Sequence, residues 1–392
     1  MEHILIIGGG GTGAALAHDL TLRGFSVSLF EKGEFFSGTT GRHHGLLHSG
    51  GRYAVGDAEA ARECIEENRL LRRLAPQAIE QNEGLFVALR DDDVEFSTPF
   101  LEACAAAEIP TRVLTPRQAL ALEPALNPAV KMAIQIPDAT MDAWRLPLHF
   151  LATAKAHGAD LHHFTEVIGI EVTSGRVTGI RVVDHATGRK RDVPGDMVIN
   201  AAGAWSGRIT ALAGVEVPIQ PGPGVMVAIQ ARVTNMVINH LHKAGEGDII
   251  VPQRKFSVLG TSLWLAEDPD REETPHDHIH RMVELCAEMV PSVKQIPIHS
   301  AWSASRPLLG VGEYENPQDI SRTFDCFDHQ VKDGLEGFVS IIGGKATTLR
   351  AMAEKTVDLV CRKLGYTIPC RTRDVPLLSY RTFYHKSRDK IL

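Results

Sequence analysis

At 392 residues the chain exceeds one ordinary domain, so two lobes are expected, and its 44% hydrophobic content is ample for buried cores. The 41 basic and 48 acidic residues give a net charge of −7, with no basic block of the kind that binds nucleic acid and no apolar stretch long enough to cross a membrane. Six cysteines, at 64, 104, 286, 326, 361 and 370, form no C-x-x-C pair, so neither a zinc site nor an iron–sulfur cluster is indicated.

The first predicted element is the apolar strand Ile4 to Ile7, followed by Gly8-Gly9-Gly10-Gly11-Thr12-Gly13, a helix, and a second strand from Phe25 to Phe30 that closes on Glu31. This order of strand, glycines, helix, strand and terminal acid is a dinucleotide-binding βαβ unit. Gly8 lets the chain turn out of the strand, Gly10 clears space for a pyrophosphate, and Gly13 lets the helix pack close to the sheet. Gly11 and Thr12 lie at the helix N-terminus, which supplies N–H groups and partial positive charge for the phosphates. Glu31, eighteen residues beyond Gly13, is placed to accept two ribose hydroxyls and to repel a 2′-phosphate, which disfavours NADP. The strand starts too early to leave room for a signal peptide, so the cysteines are expected to be reduced thiols in a cytoplasmic protein.

A loop rich in glycine and polar donors runs from Ser37 to Tyr53, including Thr39, Thr40, Arg42, His44, Gly45, His48 and Arg52. Loops of this composition carry function more often than core packing. A helix follows with Asp57 as N-cap and Pro76 as stop. Thr98-Pro99, Thr115-Pro116 and Thr274-Pro275 each read as a helix start. A helix from Leu146 to His157 stops at Gly158. A meander follows, Val167–Val172, Val177–Val183 and Arg191–Val193, with turns at Ser174-Gly175 and Thr187-Gly188. The next strand, Met197 to Asn200, ends on the small residues Ala201, Ala202 and Gly203, which allow either a close approach to the backbone or ordinary strand-end packing. Strand patterns dominate from Val215 to Leu265. Strand Gly337 to Ile342 breaks at Gly343-Gly344-Lys345 and passes into a helix, a second junction where a helix N-terminus can face a ligand. A second G-x-G-x-x-G is absent from the sequence, which favours a bound FAD reduced by the substrate itself, with an outside electron acceptor.

The sequence resembles the FAD-dependent glycerol-3-phosphate dehydrogenases, among them the large catalytic subunits of the anaerobic bacterial type, within the D-amino-acid-oxidase-like superfamily. The matching segments are Thr40-Gly41-Arg42, His44 to Gly50, Arg52-Tyr53-Ala54-Val55, Asn200 to Gly203, Arg306-Pro307-Leu308, Ser321-Arg322, and Gly343-Gly344-Lys345 with Thr347-Thr348 and Arg350. The resemblance implies an α/β fold, α+β overall. A Rossmann-like FAD-binding domain is built from discontinuous segments (1–80, 145–214 and 325–370), beside a substrate domain with a mostly antiparallel sheet and helices (81–144 and 215–324) and a C-terminal tail (371–392). It also implies that Arg52, Tyr53, Arg306, Arg322 and Lys345 surround a substrate beside the flavin ring. Three departures stand out. Gly222-Pro223-Gly224 occupies the place of a common Lys-Gly-Ser and no His follows it; Leu349 stands where a Tyr is common; and the cysteine-rich C-terminal extension of the anaerobic type is missing from the sequence.

On this reading a secondary alcohol gives hydride to flavin N5 and loses its hydroxyl proton. Arg306 is the candidate to stabilise the developing alkoxide, since a guanidinium does so without changing protonation. Arg52, Arg322 and Lys345 would hold an anion, with Tyr53 adding a neutral hydrogen bond. His48 is a proton acceptor or a structural hydrogen-bonding group; His276, His278 and His280 read as the solvated face of an amphipathic helix. The expected substrate is small and anionic, sn-glycerol 3-phosphate first and a 2-hydroxy acid such as 2-hydroxyglutarate second, the latter because an arginine cluster binds carboxylates equally well. A partner subunit or a quinone is the expected acceptor, which would place the protein at the inner face of the membrane through a partner. A flavoprotein with no substrate of its own is disfavoured, because such charge is costly to bury without an anion.

Overall fold

The computed structural model describes residues 2–243, 245, 247–270, 274–310 and 323–385. Two sheets organise the chain. The first has six strands in the order Phe324–Asp328, Phe338–Gly343, Met197–Asn200, His3–Ile7, Ser26–Phe30, Asp160–His162. All its pairings are parallel except that of Phe324–Asp328 with Phe338–Gly343. Because these strands are apolar on both sides, alternate residues enter two different cores. Ile4, Ile6, Met197, Ile199, Val339 and Ile341 pack under the helices Gly11–Leu22, Arg145–Ala156 and Leu349–Lys363. Leu5, Ile7, Val198 and Phe338 face the antiparallel meander Thr165–Thr173, Arg176–Asp184 and Lys190–Pro194.

The second sheet has eight strands, in the order Ile298–Leu309, Ile219–Ile229, Phe256–Gly260, Ile249–Gln253, Val237–His240, Gly84–Ala88, Met132–Ile136, Arg112–Leu114. It is antiparallel apart from the pairing of Val237–His240 with Gly84–Ala88. Val225, Val227, Ile238 and Leu259 on one face pack against Met282, Cys286 and Met289 of the helix His276–Met289. This is the mixed α/β architecture expected from the sequence. Residues 371–385, read from sequence as part of a tail, pack onto the first core: Leu377 is buried there and the Leu378 N–H donates to Thr153 Oγ1 at 2.9 Å.

Most local expectations hold. Asp57 caps the helix Ala58–Leu74 by accepting the Ala60 N–H at 3.0 Å. Thr115 forms a capping box with Gln118 at the start of Pro116–Leu122. Gly158, at φ +103°, follows the end of Arg145–Ala156. Three expectations are corrected. The helix read as starting at Thr98-Pro99 begins at Asp91 and runs through Pro99 to Ala106, because Asp93 accepts the N–H groups of Leu89 and Arg90 and three acids complement the positive end of the helix. Pro275, not Thr274, is the N-cap of His276–Met289. The histidines of that helix do not form one solvated face: His276 and His280 are exposed, but His278 is half-buried with Nδ1 2.9 Å from Ser262 Oγ. Among the described residues no helix is long and apolar enough to cross a membrane, and no group of three or more His, Cys, Asp or Glu side chains is arranged to hold a metal ion.

Candidate active site

The strands His3–Ile7, Ser26–Phe30, Met197–Asn200 and Phe338–Gly343 all point the same way, and the chain leaves their carboxyl ends through Gly8, Glu31, Ala201 and Gly344. Connections from the central strand pass to opposite sides, which opens a crevice at this edge. A cavity of about 1390 Å³ fills it, extends to the second sheet, and is lined by Gly10, Gly11, Thr12, Glu31, Thr39, Thr40, Arg42, His44, His48, Arg52, Tyr53, Ala202, Gly203, Arg306, Gly343, Gly344 and Lys345, among others.

The end nearest the glycine turn is built from backbone. Gly8 has φ +107°, and a Cβ there would stand 2.6 Å from the Ala201 carbonyl oxygen, so only glycine lets the two strand ends close up. Gly10 is the N-cap of Gly11–Leu22 and brings no side-chain cap to it; the Gly11 N–H donates to Thr40 Oγ1 at 2.9 Å. The Glu31 carboxylate is fixed by the N–H groups of Gly9 at 2.8 Å and Gly33 at 2.9 Å. Phe30, Val167, Ile168, Ile209 and Leu212 give this end apolar walls. A narrow glycine cradle at a helix N-terminus, with an oriented carboxylate and an apolar slot beside it, fits a dinucleotide such as FAD. The Ser37–Tyr53 loop is locked to the second sheet across the cavity: Thr39 Oγ1 donates to the Ser305 carbonyl at 2.6 Å, and Trp302 Nε1 donates to the Arg42 carbonyl at 2.7 Å.

The other end is cationic. Arg306, on Ile298–Leu309, lays its guanidinium against the carbonyls of Gly222 (3.2 Å) and Ser262 (3.4 Å) and donates to Thr261 Oγ1 at 2.9 Å. Lys345 Nζ stands 5.1 Å from the centre of the Tyr53 ring, and the His48 ring lies 5.2 Å from the same ring and 6.0 Å from that of His44. His44 Nδ1 accepts the Leu46 N–H at 3.1 Å, which leaves the ring proton on Nε2. Burial first, then the nearby imidazoles of His48 and His43 and the guanidinium groups of Arg306 and Arg52, push the His44 pKa well below the ordinary histidine value. His43 is lowered to about 4 by burial. Both are therefore neutral at physiological pH.

Most residues singled out in the sequence meet at this cavity, with four exceptions. Gly13, Gly45 and Thr347 do not line it. Gly13 packs the helix onto the turn at Gly8; Gly45, at φ +84°, turns the loop beside Gln253; and Thr347, fully buried, accepts the His48 backbone N–H at 3.1 Å. The fourth, Arg322, lies outside the described residues, as does Ser321. Arg52 reaches the cavity but is also committed elsewhere: its Nη2 donates to Asp248 Oδ1 and to the Gly245 carbonyl, both at 2.5 Å. Burial pushes Asp248 up, yet Arg52 and the hydrogen bond from His242 outweigh it and hold the carboxyl below its ordinary value. Asp248, His242 and Thr261 escape a reading of the sequence, because they sit in strand ends and turns that carry no motif.

Residues 3–348 match the family described as DAO, FAD dependent oxidoreductase. The chain is 43% identical over 388 residues to an anaerobic glycerol-3-phosphate dehydrogenase subunit of Haloferax volcanii, covering 95% of this chain and 66% of that protein. It is 40% identical over 376 residues to the corresponding anaerobic glycerol-3-phosphate dehydrogenase subunit of Escherichia coli K12, covering 95% and 69%. The chain thus spans about two thirds of the length of these relatives. Among solved structures, the glycerol-3-phosphate dehydrogenase from Bacillus halodurans complexed with FAD superposes with a TM-score of 0.74 at 24% identity, covering 96% of this chain and 68% of that one.

Proposed function

The chain belongs to the FAD dependent oxidoreductase family, and from that premise we propose that it oxidises the secondary alcohol of sn-glycerol 3-phosphate to dihydroxyacetone phosphate and passes the electrons to a partner polypeptide or a quinone. The observation that carries the reading is the gathering of Arg306, Arg52, Lys345, Tyr53 and His48 in the cavity that the glycine cradle also lines. The identity with two glycerol-3-phosphate dehydrogenase subunits supports the choice of substrate.

FAD, when bound, supplies the hydride acceptor. The residues of this chain do the rest. Gly10, Gly11 and Thr12 present the helix N-terminus to the pyrophosphate, and Glu31 takes the ribose hydroxyls. Lys345 and Arg52 neutralise the substrate's anion, Lys345 as a point charge and Arg52 through its planar donors. Tyr53, between Lys345 and His48, hydrogen-bonds the polyol. Arg306, already fixed by two carbonyls and a hydroxyl, meets the oxygen on which negative charge develops, so little reorganisation is needed at the moment of reaction. His48 receives the hydroxyl proton; its backbone is pinned by Thr347, which sets the position of the ring.

Both relatives are named as single subunits of their enzymes, which supports delivery of the electrons to a second polypeptide and, through it, a place at the inner face of the membrane. The test is product identification. The FAD-loaded protein is incubated with sn-glycerol 3-phosphate and a dye acceptor, and dihydroxyacetone phosphate is quantified against dye reduced. A one-to-one yield supports the reading; dye reduction without that product overturns it.

A further inference from the structure

Beside Arg52 the cavity wall carries a second charged group that no sequence motif marks. His242 lines the cavity, with Nε2 3.2 Å from Asp248 Oδ2 and Nδ1 2.5 Å from the Lys243 carbonyl oxygen. A carbonyl only accepts, and an ionised carboxylate only accepts. Asp248 is 4% exposed and already holds the Arg52 guanidinium on its other oxygen. Both ring nitrogens of His242 therefore carry protons, and the ring is an imidazolium. Two cations, Arg52 and His242, share one carboxylate, so these three groups together carry one net positive charge.

We propose that His242 is a substrate-binding residue for the anionic end of the substrate, and that it makes affinity for a dianion fall as pH rises through and above neutrality. The inference rests on the anionic-substrate reading above. Burial alone would lower the His242 pKa, but the hydrogen bond and charge of Asp248 and the Lys243 carbonyl outweigh it and raise it. The titratable and charged groups around the ring come from several elements. Asp248 precedes the strand Ile249–Gln253, and Arg52 lies in the turn Gly51–Tyr53. His240, on Val237–His240, has its ring 4.4 Å away and is itself held by Asp93 of the helix Asp91–Ala106 at 2.9 Å. Lys243 is on the same loop. Cys286 of His276–Met289 lies behind Asp248, its thiol donating to the Gly247 carbonyl at 3.1 Å. Of these, His242 alone combines contact with Asp248 and a place on the cavity wall with a charge that can be lost between pH 6 and 9.

The probe is sulfate, which stays a dianion across that range. Its binding to the FAD-loaded protein is measured by titration calorimetry at pH 6 and pH 9, in the wild type and in His242→Gln and His242→Asn. Wild-type affinity is expected to fall about tenfold with pH, the scale of one lost charge-assisted contact, and both variants are expected to start near the weaker value and change less than about threefold. Calorimetry of the wild type in two buffers at pH 8 should also show proton uptake on binding, a readout that needs no variant. Wild-type affinity that does not change with pH, absence of proton uptake, or variants that keep the wild-type dependence would each overturn the inference. These outcomes are separable from failure of the functional reading: sulfate behaving as expected while sn-glycerol 3-phosphate yields no ketone leaves the anion site standing and removes the substrate assignment.

Discussion

A Cβ on Gly224 would stand 2.5 Å from Nη1 of Arg306. Gly222 is paired directly with Arg306 across the two strands, and Gly224 with Ala304; the absent side chain of Gly224 leaves the shallow recess in which the guanidinium lies against the Gly222 and Ser262 carbonyls. The segment that lacks a lysine thus makes room for an arginine held flat against backbone. A Cβ at Gly224 would also stand 2.2 Å from the Ser262 carbonyl oxygen, so Gly224→Ala should displace both that carbonyl and the guanidinium it receives, and lower turnover by at least about tenfold. Turnover at the wild-type level in the variant, measured with a dye acceptor, would show that the recess does not set the position of Arg306.

Arg306 itself is the stronger test of the alkoxide role. Arg306→Lys and Arg306→Ala should retain the yellow chromophore yet reduce the rate of flavin bleaching by about two powers of ten or more. The lysine variant is informative because it keeps the charge and loses the planar donors. Single-turnover rates from stopped-flow absorbance separate loss of chemistry from loss of binding.

Glu31→Ala should weaken FAD retention, since the carboxylate is the group placed for the ribose hydroxyls. Hydrogen bonds to a charged group are worth about 1.5–3 kcal/mol, roughly ten- to a hundredfold in affinity. Reconstitution of the apoprotein with FAD, followed by flavin fluorescence, gives the value. Retention equal to wild type would place the ribose elsewhere.

The dinucleotide unit is legible in sequence because its requirements are local: the turn at Gly8 needs a positive φ, and the helix needs Gly13, only a few positions later. The small residues after Met197–Asn200 are ambiguous alone, and the structure shows their partner to be the Gly8 turn itself. What cannot be read is the cross-chain pairing. Arg52 and Asp248 are 196 positions apart, and nothing near residue 52 signals that its charge is shared. The helix Asp91–Ala106 is obscured by Pro99, which reads as a start although the cap lies at its acidic first turn. Thr347 belongs to a segment that carries the family resemblance, yet its hydroxyl accepts the His48 backbone N–H and does not line the cavity.

His18, in the helix Gly11–Leu22, is fully buried with neither ring nitrogen hydrogen-bonded. Burial first, then the positive neighbours His157 and Arg350, lower its pKa to about 3. An unfolded histidine titrates near 6.5, so below that pH the unfolded chain gains a proton that the folded protein does not bind until about pH 3. Stability is therefore lost as pH falls through this window, by about 2 kcal/mol at pH 5 from this residue. His18→Phe should show a smaller drop in Tm between pH 7.5 and pH 5 than the wild type. An equal drop would mean that other groups set the acid sensitivity.

A flavin in this cavity should be reduced by a small anionic alcohol, and anaerobic mixing tests this most directly. The FAD-loaded protein is mixed with sn-glycerol 3-phosphate, 2-hydroxyglutarate or glycerol, and the loss of the oxidised flavin absorbance is followed in time. Rapid, complete bleaching by sn-glycerol 3-phosphate is expected, with glycerol slower by orders of magnitude because it brings no charge to Lys345 and Arg52. Faster bleaching by 2-hydroxyglutarate would contradict the substrate assignment, and glycerol matching the phosphate would contradict the cationic pocket itself.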